Sequence, residues 1–402
     1  IIILFLRFFY IFLDKNINFS TTLVTITAIF NLFPKEWIMQ PKNNIKIIEL
    51  LKKVVIPDTE LTLQDVGRVK SIEMSDEDCF ITIELGFHVE SEIILYQSVF
   101  SEALSLELQD HKIRIKVIST IKPHGVQPNI APIKGVKNII AIASGKGGVG
   151  KSTTAANIAL ALHQDGARVG VLDADIYGPS QPLIFGIENE QPTSHDGKTM
   201  NPLIAYGIQI SSIGFLIDAK QPMVWRGPMV TSALNQLLKQ TLWDNLDYLI
   251  VDMPPGTGDI QLTLSQQVPV SGAVIITTPQ DIALLDARKG LQMFRKVSVP
   301  ILGIVENMST HVCSNCQHEE AIFGNGGGVS IAEEFDVNLL CNIPLNHLIR
   351  KQTDEGIPSV VADPESDYAL RYKKGSRQLA IRLATKKKDY SQHFPKIVIE
   401  ES

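Results

Sequence analysis

Short runs of apolar, β-prone residues alternate with helical patterns over residues 138–385. The first run, Asn138–Ser144, is apolar at nearly every position, which is typical of a strand buried on both faces of a parallel sheet. Such alternation predicts an α/β fold with a mainly parallel sheet and helices on both faces. We predict further strands at Arg168–Leu172, Ile208–Ile213, Tyr248–Val251, Ala273–Thr277, Ile301–Val305 and Asn338–Ile343.

Helical periodicity fills several gaps between these strands, at Thr153–His163, Met229–Leu242 and Leu284–Val297. Ligands of open α/β sheets bind at the carboxyl ends of the strands. We therefore expect the functional residues to follow the strands directly.

The region before this pattern predicts a separate small α/β domain at residues 44–120. A linker at 121–137 follows it, because Lys122–Lys137 holds three prolines and two glycines. The main domain then spans 138–385, and a polar tail spans 386–402. The small domain's predicted helices and strands are Asn44–Val54, Asp65–Met74, Phe80–Leu85, Ser91–Leu104 and Lys112–Val117.

Residues 1–38 do not fit the rest of the chain. They hold two apolar stretches, Ile1–Leu13 and Ile17–Phe33, neither of which reaches the roughly 20 apolar residues of a membrane-spanning helix. No cleavage site of the signal-peptide type follows them. We interpret the segment as a non-native upstream extension and expect the authentic protein to begin at Met39. A genuine membrane anchor is the alternative.

Composition narrows the class of partner. The chain has 402 residues, 45 % of them hydrophobic and 20 % charged, as in an ordinary globular protein. A net charge of −6 gives no electrostatic reason to expect nucleic acid or an anionic membrane as a partner. Four cysteines in this length argue against a disulfide scaffold and favour a cytoplasmic location.

A glycine-rich stretch between the first strand and the first helix predicts a phosphate site. It satisfies G-x-x-x-x-G-K-[ST], a loop whose N–H groups cradle a polyphosphate at a helix N-terminus. The final lysine of the pattern reaches the β- and γ-phosphates, and the following hydroxyl binds Mg²⁺. We therefore predict that ATP binds to the residues Gly145, Lys146, Gly147, Gly148, Val149, Gly150, Lys151, Ser152 and Thr153.

Carboxylates follow two other predicted strands. Asp173 and Asp175 can both approach Mg²⁺ or an attacking water, although Asp173 can equally cap the next helix or turn. Asp252 ends a run of Walker B type and is predicted to lie beside Mg²⁺. The Pro/Gly-rich continuation to Asp259 suits a loop that responds to the γ-phosphate.

Asn307 follows a later strand and has two interpretations. Its amide has both the donor and the acceptor that are needed to recognise an adenine edge. A structural role in the turn is the alternative.

Cys313 and Cys316 form a Cys-x-x-Cys pair, which suits a soft metal. Two thiolates do not close a tetrahedral site. A second subunit's pair gives four thiolates for a [4Fe–4S] cluster or for zinc, and His311 with His318 gives a local zinc site. A redox disulfide or two idle thiols also remain open. Cys79 and Cys341 stand alone in apolar runs and are interpreted as core residues.

Taken together, these motifs resemble the Mrp/ApbC-type ATPases, iron–sulphur cluster carriers of the deviant-Walker-A group that also includes MinD and ParA. Residues 44–385 take part in the resemblance, and 44–120 resemble the iron–sulphur-assembly domain often fused ahead of such ATPases. Three further motifs match in order, Trp225-Arg226-Gly227-Pro228-Met229, Thr278-Pro279-Gln280 and Gly324-Asn325-Gly326-Gly327-Gly328.

The resemblance implies roles beyond the spacing. Lys146 matches the signature lysine that contacts nucleotide across a homodimer interface. Asp175 matches the residue that orients the attacking water. Cys313 and Cys316 match the pair that holds a [4Fe–4S] cluster between two subunits. The implied activity is slow ATP hydrolysis, coupled to delivery of the cluster to apoproteins.

Two other functions share part of this pattern. A MinD/ParA-like positioning ATPase would have the same lysines but should lack the cysteine pair, and would need a membrane helix or a basic patch. Here Lys386-Lys387-Lys388 continues into Asp389 and later Glu400-Glu401, a poor anchor. An ATP-driven electron donor would use a similar bridging cluster for redox chemistry instead of delivery.

Overall fold

The computed structural model describes residues 42–127, 130–216, 227–313, 315–316 and 318–386. The predicted extension 1–38, the pair Trp225 and Arg226, and the tail beyond residue 386 lie outside these ranges. The chain divides into two units, Ile1–Leu51 and Lys52–Ser402. The described part of the first unit belongs to helix α1 (Lys42–Lys52), as the sequence predicts. The predicted domain bounds remain predictions.

The second unit begins with a small sheet whose strand order is β1-β2-β3. β1 and β2 are antiparallel, whereas β2 and β3 are parallel and are joined through a helix. Exposure alternates along β3, as its Lys/Ile/Arg/Ile/Lys/Val pattern predicts. The elements are α2 (Leu63–Val66), β1 (Gly67–Met74), β2 (Asp78–Leu85), α3 (Ile93–Glu102) and β3 (Lys112–Ser119).

One strand boundary differs from the prediction for a local reason. The predicted strand Asp65–Met74 begins only at Gly67, because the short helix α2 precedes it. Asp65 Oδ2 accepts hydrogen bonds of 2.7 Å from both the backbone N–H and the hydroxyl of Thr62. This capping box starts a helical turn, and the apolar pattern alone does not reveal it.

A sheet of eight strands forms the centre of the unit, in the order β13-β10-β9-β4-β8-β5-β7-β6. All neighbouring pairs are parallel except the antiparallel pair of β6 and β7. β11 and β12 form a separate antiparallel hairpin. The strands are β4 (Val136–Ala143), β5 (Val169–Asp173), β6 (Leu203–Ala205), β7 (Ile208–Ser212), β8 (Leu246–Asp252), β9 (Gly272–Thr277), β10 (Ile301–Asn307), β11 (His311–Val312), β12 (Glu319–Glu320) and β13 (Leu339–Ile343).

The predicted α/β class is confirmed. Every strand that the sequence predicts for this sheet is present, and its ends lie within about two residues of the prediction. The sequence did not predict β6 or the hairpin. The helices are α4 (Lys151–Gln164), α5 (Gln181–Ile184), α6 (Gly227–Gln240), α7 (Asp259–Gln267), α8 (Asp281–Lys296), α9 (Gly327–Glu334), α10 (His347–Asp354), α11 (Ser359–Ala362) and α12 (Asp367–Ala384).

None of the helices in the described ranges has the length and apolar content needed to cross a membrane. The central strands β5, β8 and β9 are buried at every position. Because these strands are parallel to β4 and β10, their carboxyl ends meet at one edge of the sheet. The polar residues Asp173, Asp252 and Asn307 stand at that edge, each as the last residue of its strand.

Candidate nucleotide site and cysteine hairpin

The loop between β4 and α4 has the backbone of a phosphate cradle. Gly148 and Gly150 have φ values of 80° and 78°, in the left-handed region that glycine tolerates. Lys151 is the first residue of α4, so the loop ends at a helix N-terminus. Gly147 and Gly148 are exposed, whereas Val149 is buried and anchors the loop. The arrangement presents backbone N–H groups to an anion.

Lys151 and Asp252 form a buried ion pair beneath this loop. Lys151 Nζ lies 2.5 Å from Asp252 Oδ1 and 3.3 Å from Ser152 Oγ. Asp252 is fully buried and Lys151 is 6 % exposed. A cationic group therefore already stands between the predicted hydroxyl and carboxylate ligands of Mg²⁺. The Ser152 hydroxyl and the Asp252 carboxylate are oxygen ligands of the kind that Mg²⁺ prefers, so these residues fit the ion.

Asp173 is fully buried and organises the segment after β5. Its carboxylate accepts backbone N–H bonds from Asp175, Ser180 and Gln181, at 3.2, 3.0 and 3.0 Å. Burial raises the pKa of Asp173 to about 7, and repulsion from Asp252 adds to the rise. The structural interpretation of Asp173, capping of the next turn and of α5, is the one that these bonds support.

Asp175 is only partly buried, and its carboxyl accepts backbone N–H bonds from Tyr177 and Gly178. Burial raises its pKa, the Lys151 ammonium opposes the rise, and Asp252 adds to it. Lys151 and Asp252 are thus close enough to Asp175 to act on its charge. The site brings together the candidates Lys151, Ser152, Asp175 and Asp252.

The Walker B continuation folds against the phosphate loop. Gly256 N–H donates to Ser144 O at 2.9 Å, and a Cβ built on Gly147 would lie 4.0 Å from Pro255. Gly256 has φ of 100°, and α7 begins at Asp259. The loop therefore lies beside the position predicted for the phosphates.

Asn307 contacts the phosphate loop directly. Its Nδ2 donates to Val149 O at 2.9 Å, and a Cβ built on Gly150 would lie 2.2 Å from that same nitrogen. The amide thus braces the loop, which favours the structural interpretation of Asn307. Recognition of the adenine base remains a prediction.

Glu306, which the sequence analysis did not single out, precedes Asn307 and is 3 % exposed. Its Oε2 accepts the backbone N–H of Gly328 at 2.5 Å, in the first turn of α9. A carboxylate at a helix N-terminus is stabilised by the helix dipole. This contact ties the motif Gly324–Gly328 to the end of β10.

Lys146 has an exposed side chain at the tip of the loop. Its backbone carbonyl accepts the Ser144 hydroxyl at 2.9 Å, which fixes the backbone but leaves the ammonium outside. The side chain of Lys146 is therefore accessible to another molecule.

The cysteine pair lies between β11 and β12. Cys313 N–H donates to His318 O at 2.9 Å, which closes the hairpin. N–H groups of Cys316 and Asn315 donate to the Cys313 sulphur and lower its pKa. Cys316 is exposed and all four cysteines of the chain are free thiols.

The alternative of a local zinc site finds no support in the part of the chain that the structure describes. There, no three His, Cys, Asp or Glu side chains are placed to hold one metal ion. His311 Nδ1 lies 3.1 Å from the Leu345 carbonyl, so this ring nitrogen is already engaged. Cys313 follows Asn307, at the nucleotide edge, by six residues of chain.

Gln181 is the second residue that sequence reasoning missed. It is fully buried, and its Nε2 donates to Asp252 Oδ2 at 2.8 Å and to Ser152 O at 3.1 Å. A glutamine after Gly-Pro-Ser carries no motif of its own. Only the tertiary structure places it against two motifs that are distant in sequence.

Fold and site together define a P-loop NTPase with a cysteine pair on a hairpin that directly follows a strand of the nucleotide edge. A family model described as "ParA: NUBPL iron-transfer P-loop NTPase" matches residues 135–380, more than half of the chain. The chain belongs to this family.

Three of the similar proteins are iron-sulfur cluster carrier or transfer proteins. An iron-sulfur cluster carrier protein of Haemophilus influenzae is 48 % identical over 343 residues, which cover 85 % of this chain and 91 % of that protein. The Escherichia coli K12 protein of the same name is 58 % identical over 267 residues, or 66 % and 70 % of the two chains. The Mus musculus iron-sulfur cluster transfer protein NUBPL is 52 % identical over 247 residues, or 61 % and 77 %.

A solved structure gives an independent comparison of the fold. The nucleotide-binding protein of Archaeoglobus fulgidus, in complex with ADP, aligns with a TM-score of 0.51 and 35 % identity. The alignment covers 58 % of this chain and 91 % of that one.

Proposed function

We propose that the protein is an ATP-dependent iron–sulphur cluster carrier, which binds a [4Fe–4S] cluster and transfers it to apoproteins. One observation carries the proposal: the Cys313/Cys316 hairpin follows the strand whose last residue, Asn307, is hydrogen-bonded to the phosphate loop at Val149. The names of the relatives, cluster carrier and cluster transfer protein, support it.

The nucleotide half of the proposal uses the geometry of the loop. ATP binds along Gly145–Thr153, with the Lys151 ammonium moving from Asp252 to the phosphates. Ser152 and Asp252 would hold Mg²⁺, and the ion would supply charge neutralisation at the phosphate oxygens. Asp175 orients the attacking water, since its partly buried carboxylate lies in the electrostatic reach of Lys151 and Asp252. Asn307 would meet the adenine base.

The dimer half of the proposal uses two exposed groups. Lys146 is accessible at the tip of the loop and would neutralise phosphate charge on the partner subunit. Each subunit supplies two thiolates, and two subunits supply the four that a [4Fe–4S] cluster requires. The lowered pKa of Cys313 favours the thiolate that ligates iron.

Hydrolysis is coupled to the cargo through β10 in this proposal. When the phosphates leave, the phosphate loop shifts against Asn307, and the shift reaches the hairpin through the chain between Asn307 and Cys313. An extended chain spans at most about 3.6 Å per residue, so this connection is short. Hydrolysis is slow because it is paced by cluster transfer to an apoprotein. Four free thiols, of which that of Cys316 is exposed, suit the reducing cytoplasm.

The test is anaerobic reconstitution with iron and sulphide, comparing the wild type with the variant Cys313→Ala/Cys316→Ala. We expect the wild type to bind one cluster per dimer, by absorbance and molecular mass, and the double variant to bind none. Cys341→Ala is the matched control, because it removes a thiol but leaves the hairpin intact. Equal iron content in the double variant would contradict the carrier assignment.

Coupling is tested separately by the rate of cluster transfer to an apoprotein. We expect Lys151→Ala and Asp175→Asn to slow ATP-dependent transfer at least about tenfold. Unchanged transfer in both variants would show that hydrolysis and delivery are independent. A cluster that is reduced reversibly and never transferred would instead support an ATP-driven electron donor.

A further inference from the structure

The two oxygens of the Asp252 carboxylate have different partners. Oδ1 is 2.5 Å from Lys151 Nζ, and Oδ2 accepts a hydrogen bond of 2.8 Å from Gln181 Nε2. Asp252 and Gln181 are both fully buried, so water does not compete for this second contact. The carboxylate is therefore fixed from two sides.

Gln181 is itself fixed by two other motifs. Its Nε2 also donates to Ser152 O at 3.1 Å, and its backbone N–H donates to Asp173 Oδ2 at 3.0 Å. The residue thus connects the start of the phosphate-loop helix, the Walker B carboxylate and the segment after β5. Its buried Oε1 has no hydrogen-bond partner among the described residues.

The two partners of Asp252 differ in what nucleotide binding does to them. Lys151 is the residue that leaves for the β- and γ-phosphates. Gln181 carries no charge, and its contacts to Ser152 and Asp173 are to atoms that bind no phosphate. One partner is transferred to the ligand, whereas the other remains.

We propose that Gln181 is a positioning residue for Mg²⁺. Its hydrogen bond to Asp252 Oδ2 holds the carboxylate in place, so that Oδ1 remains oriented for the ion when Lys151 leaves it. The proposal rests on the proposed ATP- and Mg²⁺-binding function. Mg²⁺ demands near-ideal octahedral geometry and takes only one or two protein carboxylates, so it is sensitive to the orientation of a single one. A hydrogen bond to a charged, buried group is among the stronger ones.

Calorimetric titration of ATP at a series of Mg²⁺ concentrations tests the assignment. In Gln181→Met the amide donor is replaced by a side chain of similar volume. We expect the Mg²⁺ concentration that gives half of the maximal increase in ATP affinity to rise about tenfold. A change of this size corresponds to the loss of one hydrogen bond to a charged group. ATP binding in EDTA should stay at the wild-type value, because the loop atom that Gln181 contacts, the carbonyl oxygen of Ser152, binds no phosphate.

Gln181→Asn retains an amide that is too short to reach Asp252, and we expect the same shift from it. This second variant keeps the test valid if the methionine variant does not fold. Gln164→Met is the matched control: Gln164 is the last residue of α4, and its Nε2 donates to Val360 O at 3.1 Å, away from the nucleotide. Its Mg²⁺ dependence should equal that of the wild type.

The outcomes separate the two proposals. If the wild type binds no ATP, the proposed function fails. If the wild type binds ATP with a clear Mg²⁺ dependence and the folded Gln181 variants share it, the positioning role alone is overturned. A Gln181 variant that weakens ATP binding equally in EDTA would show a structural role in the loop instead.

Discussion

Two glycines of the phosphate loop are required by the close approach of another segment, in addition to any need for a tight turn. A Cβ on Gly150 would lie 2.2 Å from Asn307 Nδ2, and a Cβ on Gly145 would lie 2.2 Å from the backbone carbonyl of Asp286. The motif predicts that both are glycine. The motif does not predict the close contacts that require glycine, because Asn307 and Asp286 lie more than a hundred residues away in the sequence.

Replacement of Gly145 by alanine should destabilise the fold even in the absence of nucleotide. We expect Gly145→Ala to lower the free energy of unfolding by about 1–3 kcal/mol, the usual cost of overpacking against backbone that cannot give way. The measurement is urea unfolding without nucleotide. Gly147→Ala is the control, since the nearest atom to its Cβ is Pro255 Cβ at 4.0 Å. Equal midpoints for the two variants would contradict this packing argument.

Side-chain contacts between motifs mark the limit of prediction at the residue scale. Lys151, Ser152, Asp175 and Asp252 could be placed at one edge, because each follows a strand of a parallel sheet. The contacts of Gln181 with Asp252 and of Glu306 with Gly328 could not, because neither glutamine nor glutamate there belongs to a recognisable pattern.

The apolar pattern predicts elements well where they are long and buried. The strands β4, β8 and β9 each contain at least four consecutive apolar residues, and the prediction differs from the strands only at the ends. β6 has three residues, and β11 and β12 have two each, too few for a periodicity. The hairpin that holds the cysteines was therefore visible from its Cys-x-x-Cys spacing and not from a strand pattern.

Residues of the strands β4 and β8 hold the Pro/Gly-rich linker in place. Asn138 of β4 accepts the His124 N–H at 3.0 Å and donates to Lys122 O at 3.0 Å. At the start of β8, Asp247 lies 2.7 Å from Lys137 Nζ. Composition alone suits a linker, and these contacts fix its path over the described residues.

Asp247→Asn gives a prediction with a defined pH dependence. Burial alone would raise the pKa of Asp247, but bonds from His88, Lys137 and the Arg168 N–H outweigh burial and lower it. A carboxyl titrates near pH 4 in an unfolded chain. The lowered folded-state pKa therefore stabilises the protein above about pH 4, and this contribution is lost as the pH falls further.

We expect Asp247→Asn to reduce the free energy of unfolding at pH 7 by about 1–3 kcal/mol, the cost of unsatisfied buried partners. The difference from wild type should shrink as urea unfolding is repeated below pH 4. The exposed neighbour Asp244 supplies the control, Asp244→Asn. A constant difference between pH 7 and pH 3 would show that the charge of Asp247 is not the cause.

At the scale of the whole second unit, polar contacts join the small sheet region to the ATPase. Ser91 and Glu92 precede α3, Asp165 caps the far end of the phosphate-loop helix α4, and Arg377 belongs to α12. Arg377 Nη1 lies 2.5 Å from Glu92 Oε1, and Arg377 Nη2 lies 3.2 Å from Asp165 Oδ1. Linker composition suggests two independent domains, whereas these contacts tie the small region to the helix that begins at Lys151.

Arg377→Met should therefore cost much more than the loss of a surface ion pair. The Arg377 side chain is 7 % exposed, and its removal leaves the buried Asp165 uncompensated. We expect a loss of about 3–5 kcal/mol in the free energy of unfolding by urea. Arg350→Met is the control: Arg350 is 72 % exposed and pairs with the exposed Asp354, so a loss of about 1 kcal/mol or less is expected.

A double variant tests the buried charge directly. Adding Asp165→Asn to Arg377→Met should cost less than the sum of the two single changes, because the carboxylate that Arg377→Met leaves unpaired is then removed. Equal losses for Arg377→Met and Arg350→Met would show that the buried pair of Arg377 and Asp165 contributes no more to stability than a surface ion pair.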